Sequence, residues 1–577
     1  MQFSHMSRAC ALFLSYLACS IQAQSTSTGT PTLTAASSSA SPVDSPLVSI
    51  AHYGWIQGNR SQYIHSVYNF KGIPYAGAPT GAYRWKHPPH PDPWNDTRDC
   101  TEFGPVCPQE GVDNYSEDCL HLNVWTPDNA TLNDVYPASV GVLPNATNSQ
   151  YPVYVWIHGG RFASGSASDA LYDGSGLAAK GVVVISMDYR LGALGFLAHP
   201  ELSANSSSGT SGNYGLVDQQ ASLHWTIENC ASFGGDPTRI TIGGQSAGAA
   251  SVIDHLNSPL AAALFNQVIA ESGVRYPSDP LAGSLAEGYR QLAEAEQQGT
   301  AFIKSLNVSS INEARNLPVE AFLSSGSMSD NTYAGTVFEN NSIYMEPPLF
   351  RPVIDGYVLP DTYQSLLLSG NHSIVPVLTG NNRDESGASP NPGFSVENYT
   401  SVNQLEFGSV GLGDEFFKLY PTGSTANSSD GSSNAFYQEQ SRIGTWLWGN
   451  EYAAGSYKNS SGNGNFTTWT YYWTHAPPGQ DAGAYHMSEI NYAFNNLYAT
   501  DRPWVDEDYR IAETMSSYWV NFISNGDPNG AGLATWPSNN NGNATTMELG
   551  DAFRIVPVAQ STHISFMKEW FSKWPVY

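Results

Sequence analysis

The stretch Gly243-Gly-Gln-Ser-Ala-Gly-Ala-Ala250 sets Ser246 between two glycines, each two residues away, directly after Arg239-Ile-Thr-Ile242. Three fixed positions specify little in a chain with 53 glycines, so the surroundings must decide what Ser246 does. A serine hydroxyl becomes a useful nucleophile only when a histidine takes its proton and an acid orients that histidine. Small neighbours would let the serine occupy a tight strand-to-helix turn. Its hydroxyl would then stand above a sheet, close to the free N–H groups of a helix start. An ordinary glycine-rich helix start is the plainer reading of the same residues.

The elements that would build such a turn are legible. Val153-Tyr-Val-Trp-Ile157, Val182-Val-Val-Ile-Ser186, Ile240-Thr-Ile242 and Val375-Pro-Val-Leu378 read as buried strands. Residues 219–232 and 247–256 read as helices. Buried strands alternating with helices predict a mostly parallel sheet covered on both faces, with a ligand site at the carboxyl ends of the strands. Ser246 falls where one strand ends and one helix begins. The polar patches at 426–433 and 458–464 read as surface loops, and neither a repeat nor a long linker interrupts the chain.

The first residues read as an address. Arg8 precedes the apolar run Ala9 to Ile21, with a small residue, Ala23, for cleavage. Thirteen mostly apolar residues are too few to span a bilayer, so residues 1–23 read as a secretory signal peptide. Residues 24–45 are rich in Ser, Thr, Ala and Pro and read as a flexible lead-in. Residues 46–577 read as one catalytic domain. Fourteen Asn-x-Ser/Thr sequons, among them Asn59, Asn95 and Asn543, are candidate glycosylation sites of a secreted, extracellular protein. The net charge of -27 argues against nucleic acid or an anionic membrane surface as partner. No His/Cys cluster at ligand spacing and no phosphate loop occur, so neither metal nor organic cofactor is implied.

Longer motifs carry a resemblance. The stretch Phe233-Gly-Gly-Asp-Pro-Thr-Arg-Ile-Thr-Ile-Gly-Gly-Gln-Ser-Ala-Gly248 resembles the active-site signature of the type-B carboxylesterase/lipase family. Upstream, Glu117-Asp-Cys-Leu-His-Leu-Asn-Val-Trp-Thr-Pro127 is similar to that family's second motif, with His121 where an aromatic residue or Thr is usual. Phe70 to Ala76, Arg84-Trp85, Tyr189 to Gly192 and Asn213 to Gln219 match further family patterns. The resemblance runs from about residue 48 almost to the C-terminus. It implies an α/β-hydrolase fold, a central mostly parallel sheet flanked by helices, and hydrolysis of a small-molecule ester through an acyl-enzyme. Inactive binding proteins share this fold, but they usually lack the serine or a partner.

The resemblance also implies the partners of Ser246. Thr379-Gly-Asn-Asn-Arg-Asp-Glu-Ser-Gly387 is similar to the family's acid loop and points to Glu385, with Asp384 as the local competitor. Gly483-Ala-Tyr-His-Met-Ser-Glu-Ile490 matches the family's histidine motif and points to His486, in preference to His475. Glu489 reads as a structural or helix-cap carboxylate. His158-Gly-Gly-Arg-Phe162 matches the oxyanion loop, with Gly160, Arg161 and Ala247 as backbone donors. A third glycine is usual where this chain has Arg161. Its side chain either sets a cation beside the acyl site or folds away to pair with an acid.

By the same resemblance Cys107 pairs with Cys119, and Arg84 forms a structural salt bridge with Glu117. Cys100 and Cys230 then remain, and by elimination could form a second bridge. The enclosed loop, residues 108–118, has eleven residues, four of them acidic: Glu110, Asp113, Glu117 and Asp118. It is too short and polar to present an apolar face to a lipid surface, and it holds no Trp of the kind cholinesterases carry here. Short-to-medium acyl or aryl esters are the expected substrates. Feruloyl (aromatic-acid) esters or a lipase-like preference are the alternatives. Stable membrane insertion is not expected, and the oligomeric state is not legible.

Overall fold

The computed structural model describes residues 45–128, 151–284, 288–341, 343–385, 388, 395–459, 467–539 and 543–575. The expected signal peptide and nearly all of the Ser/Thr-rich lead-in fall outside the described residues, as do the sequons at Asn129 and Asn145.

Eleven strands form the main sheet: β1 (Asn59–Arg60), β2 (Val67–Pro74), β3 (His121–Pro127), β4 (Tyr151–Ile157), β5 (Val183–Met187), β6 (Gly235–Gln245), β7 (Gln267–Glu271), β8 (Val377–Asn382), β9 (Thr468–Trp473), β10 (Thr545–Leu549) and β11 (Arg554–Pro557). Their order across the sheet is β11-β10-β9-β8-β7-β6-β4-β5-β3-β2-β1. The strands from β10 to β5 in that order are parallel to their neighbours, and both edges are antiparallel. The expected α/β-hydrolase fold with a mostly parallel sheet is therefore present.

The parallel strands are buried on both faces, which is why they read as continuous apolar runs rather than alternating ones. Five of the helices matter below: α1 (Tyr214–Asn229), α2 (Ala247–Asn257), α3 (Ala426–Asn459), α4 (Asp506–Asn525) and α5 (Ser561–Phe571). Leu216 and Leu223 of α1 and Val252 of α2 pack with Val153, Val155 and Ile242 on one face of the sheet. Met515, Trp519 and Phe522 of α4 pack with Tyr154, Ile269 and Tyr471 on the other. A third cluster joins α3 to α5 through Phe436, Ile443, Phe566 and Trp570.

Two expectations need correction. Residues 426–433 are not a surface loop but the first turns of the 34-residue helix α3, where Ser429 and Asp430 are buried. Polar residues every few positions conceal a helix whose apolar face starts only at Phe436. Residues 460–464 of the second patch lie outside the described residues. Nor do Cys100 and Cys230 form a bridge. Both are free thiols, buried in the same core cluster, whereas Cys107 and Cys119 are disulfide-bonded. A free cysteine behaves as a small hydrophobe, so an even cysteine count did not require a second bridge. Burial pushes each free thiol up to about 12.

Candidate active site

Strand β6 ends at Gln245 and α2 starts at Ala247, leaving Ser246 alone in the turn with φ 58° and ψ -124°. This conformation is costly for a non-glycine residue and persists only where neighbours enforce it. Here the Ser246 N–H is held by the Glu271 carbonyl at 2.9 Å, and its own carbonyl takes the Ala250 N–H at 3.0 Å. Gly244 and Gly248 are needed because a Cβ at either would collide with backbone, Gly244 with Gly248 and Gly248 with Ile157. The turn exists because these two positions have no side chain.

The candidate oxyanion loop abuts it. A Cβ on Gly159 would lie 2.7 Å from the Gln245 carbonyl oxygen and 3.2 Å from the Ser246 Cβ. Gly160, Arg161 and Phe162 all have positive φ, at 108°, 59° and 59°. Arg161 thus adopts a backbone that glycine would adopt without strain. Its guanidinium donates to the Glu346 carbonyl at 2.7 Å and contacts Met345 Sδ at 3.6 Å.

Several residues brace this loop. Tyr189 donates to the His158 carbonyl at 2.9 Å and stacks on the His158 ring. Asp188 accepts the Ala167 N–H, and Gln109 exchanges two hydrogen bonds with the backbone of Gly165, both at 2.9 Å. Gln109 stands two residues after the bridged Cys107, so the disulfide loop is tied to the oxyanion loop. Arg84 and Glu117 form the expected salt bridge, bidentate at 2.5 and 2.6 Å, and Arg84 also donates to the Leu317 carbonyl.

The acid loop follows β8. Glu385 accepts the Asn382 N–H at 2.9 Å and lies 2.5 Å from His486 Nδ1. Burial pushes the Glu385 carboxyl up, but the charge and hydrogen bonds of His486, with the Asn382 N–H, bring it below its ordinary value. For His486 burial pulls down while Glu385, by charge and hydrogen bond, pulls up, and the net result is upward. Asp384 faces elsewhere: it pairs with Arg383 and accepts the Ala484 N–H at 2.8 Å. His475 is paired instead with Asp508 at 3.0 Å and Asp551 at 2.8 Å.

With Nδ1–H donated to Glu385, Nε2 of His486 carries a lone pair. Among the described residues no hydrogen bond joins it to Ser246. The Gln245 amide nitrogen lies 3.1 Å from Nε2 and 3.4 Å from Nδ1. A donor on the in-plane lone pair would stand much farther from Nδ1, so the amide lies over the ring face and leaves that lone pair open. Glu489 is wholly buried and caps no helix through its side chain; it takes the Asn382 side-chain amide instead. Among the described residues no group of three or more His, Cys, Asp or Glu could hold a metal ion, and no helix is long and apolar enough to cross a membrane.

Residues 44–567 match the family described as the carboxylesterase family. The chain is 32% identical over 511 residues to a fumonisin B1 esterase of Sphingopyxis macrogoltabida, covering 86% of this chain and 85% of that one. It is 30% identical over 522 residues to a para-nitrobenzyl esterase of Bacillus subtilis, covering 87% and 94%. Among solved structures, a para-nitrobenzyl esterase superimposes with a TM-score of 0.69 at 28% identity, covering 90% of this chain and 99% of the other. A carboxylesterase of Geobacillus stearothermophilus gives 0.70 at 27%, with the same coverage.

Proposed function

The chain belongs to the carboxylesterase family and is a carboxylic ester hydrolase, and on that footing we propose that it is a secreted, glycosylated serine esterase using Ser246, His486 and Glu385. The observation that supports the reading is the 2.5 Å contact between Glu385 and His486 Nδ1, which leaves Nε2 as the basic nitrogen, with the side chain of Gln245, the chain neighbour of Ser246, 3.1 Å from it.

Ser246 Oγ attacks the ester carbonyl as His486 Nε2 takes its proton. Glu385 stabilises the imidazolium and keeps its tautomer. The developing oxyanion is met by the backbone N–H groups of Gly160, Arg161 and Ala247. His486 then returns the proton to the leaving alcohol. In the second half-reaction it activates water, which releases the acid from the acyl-enzyme and regenerates Ser246.

Substrates are short-to-medium acyl or aryl esters. Supporting this, the 108–118 loop is polar, closed by the Cys107–Cys119 bridge and tied down by Gln109, so it offers no broad apolar face. Hydrolysis of p-nitrophenyl esters from acetate to palmitate, with methyl ferulate alongside, tests the assignment. Activity should fall as the acyl chain lengthens. Preference for palmitate or for ferulate would replace this specificity with a lipase-like or aromatic-acid one.

A further inference from the structure

Glu271, the last residue of β7, lies fully buried beneath the Ser246 turn, holding the Ser246 N–H through its carbonyl. One carboxylate oxygen accepts the Trp519 indole N–H at 2.8 Å, and the other has no hydrogen-bond partner among the described residues. Across the sheet it stands in a row with Gln245, Gly380 and Tyr471. The missing side chain at Gly380 lets the Tyr471 ring lie over it, and Gly243 does the same for the Tyr154 hydroxyl. Both phenols are pushed up, by burial first and then by the charge of Glu271.

Glu489 completes the cluster. It is also fully buried and takes the Asn382 side chain at 2.5 Å. Ser272, next to Glu271 in the chain, reaches it at 3.5 Å. No Lys, Arg or His among the described residues pairs with either glutamate. Two fully buried carboxyls without a cation, the charge of one raising the other, cannot both ionise cheaply. We propose that Glu271 and Glu489 hold at least one proton between them at neutral pH, so that the pair never sets two charges behind His486. Glu271 is then a positioning residue.

The consequence is chemical. Two further negative charges would hold the imidazolium too firmly, and His486 would be slow to return its proton to the leaving group. With the pair capped by a proton, Glu385 remains the carboxylate that faces the ring. The other groups facing this cluster agree. Burial pushes both glutamates up, Glu271 and Glu385 push Glu489 further, Tyr172 lies within the same field, and the charge of Arg275 acts on His486 in the opposite sense, lowering it.

Thermal melting of wild type, Glu271→Gln and Glu489→Gln across about pH 5 to about pH 8 tests this. A carboxyl raised in the folded state binds more protons folded than unfolded, so its stabilising effect is lost as pH rises. The melting temperature of each Gln variant, relative to wild type, should therefore climb by a few degrees over that range. A difference that stays constant or shrinks with pH overturns the proposal, and should one variant fail to fold, the other reads the same slope. The inference rests on the proposed role of His486, but the melts involve no turnover. An inactive wild type would defeat that role and leave this result intact.

Discussion

Asp384 accepts the Ala484 N–H at 2.8 Å, two residues before His486, while its chain neighbour Glu385 touches the His486 ring itself. One acid fastens the histidine loop to the acid loop, and the next one addresses the imidazole. Their substitutions should separate accordingly. Glu385→Gln should lower kcat by about 10⁴-fold with little change in melting temperature, as for triad acids in general. Asp384→Ala should cost roughly 2 kcal/mol of stability, since it leaves a buried N–H unpaired. Equal losses of kcat without destabilisation would mean that Asp384 shares the orienting role.

The pH profile of kcat/KM should show an acid limb set by His486, which must be neutral to act as base. Burial lowers the proton affinity of this ring and Glu385 raises it further, so the limb should lie above the ordinary imidazole value. Removing the charge with Glu385→Gln should move it to lower pH. A limb that stays in place would assign that titration to another group.

Cys100 and Cys230 are buried thiols with proton affinities raised to about 12, so iodoacetamide should leave both untouched in the folded protein and alkylate both after unfolding. Mass spectrometry of the tryptic peptides reads this directly. A Cys100–Cys230 cross-link would contradict it.

Arg161 holds a positive φ that glycine adopts freely, and its role in the proposed mechanism is a backbone N–H. Arg161→Gly should therefore keep kcat within about 10-fold of wild type. Relief of strain, about 1 kcal/mol, offsets part of the lost bond to the Glu346 carbonyl. A fall of about 10²-fold or more would give the guanidinium a direct part in catalysis.

What the sequence disclosed and what it hid divide along physical lines. The central strands were legible because burial on both faces makes them continuous apolar runs, and Gly244 and Gly248 mark the turn because backbone contact forbids a side chain. Residues 426–433 were misread because a helix that meets the core only from Phe436 onward looks polar at its start. The supports of the candidate site were mostly hidden. Asp188, Ser272 and Glu271 act through contacts made by chain segments far apart in sequence, and none has a periodicity or a spacing that announces it. The pairing of Cys100 with Cys230 failed because counting cysteines says nothing of where their side chains point.

The proposed mechanism stands on Ser246 as nucleophile. Its most direct test is labelling of wild type and Ser246→Ala with a fluorophosphonate, read by intact mass and peptide mapping beside p-nitrophenyl acetate hydrolysis. Wild type should carry one adduct, on Ser246, with neither adduct nor hydrolysis above background in the variant. An adduct on another residue, or a Ser246→Ala protein that still turns over the ester at the wild-type rate, would contradict it.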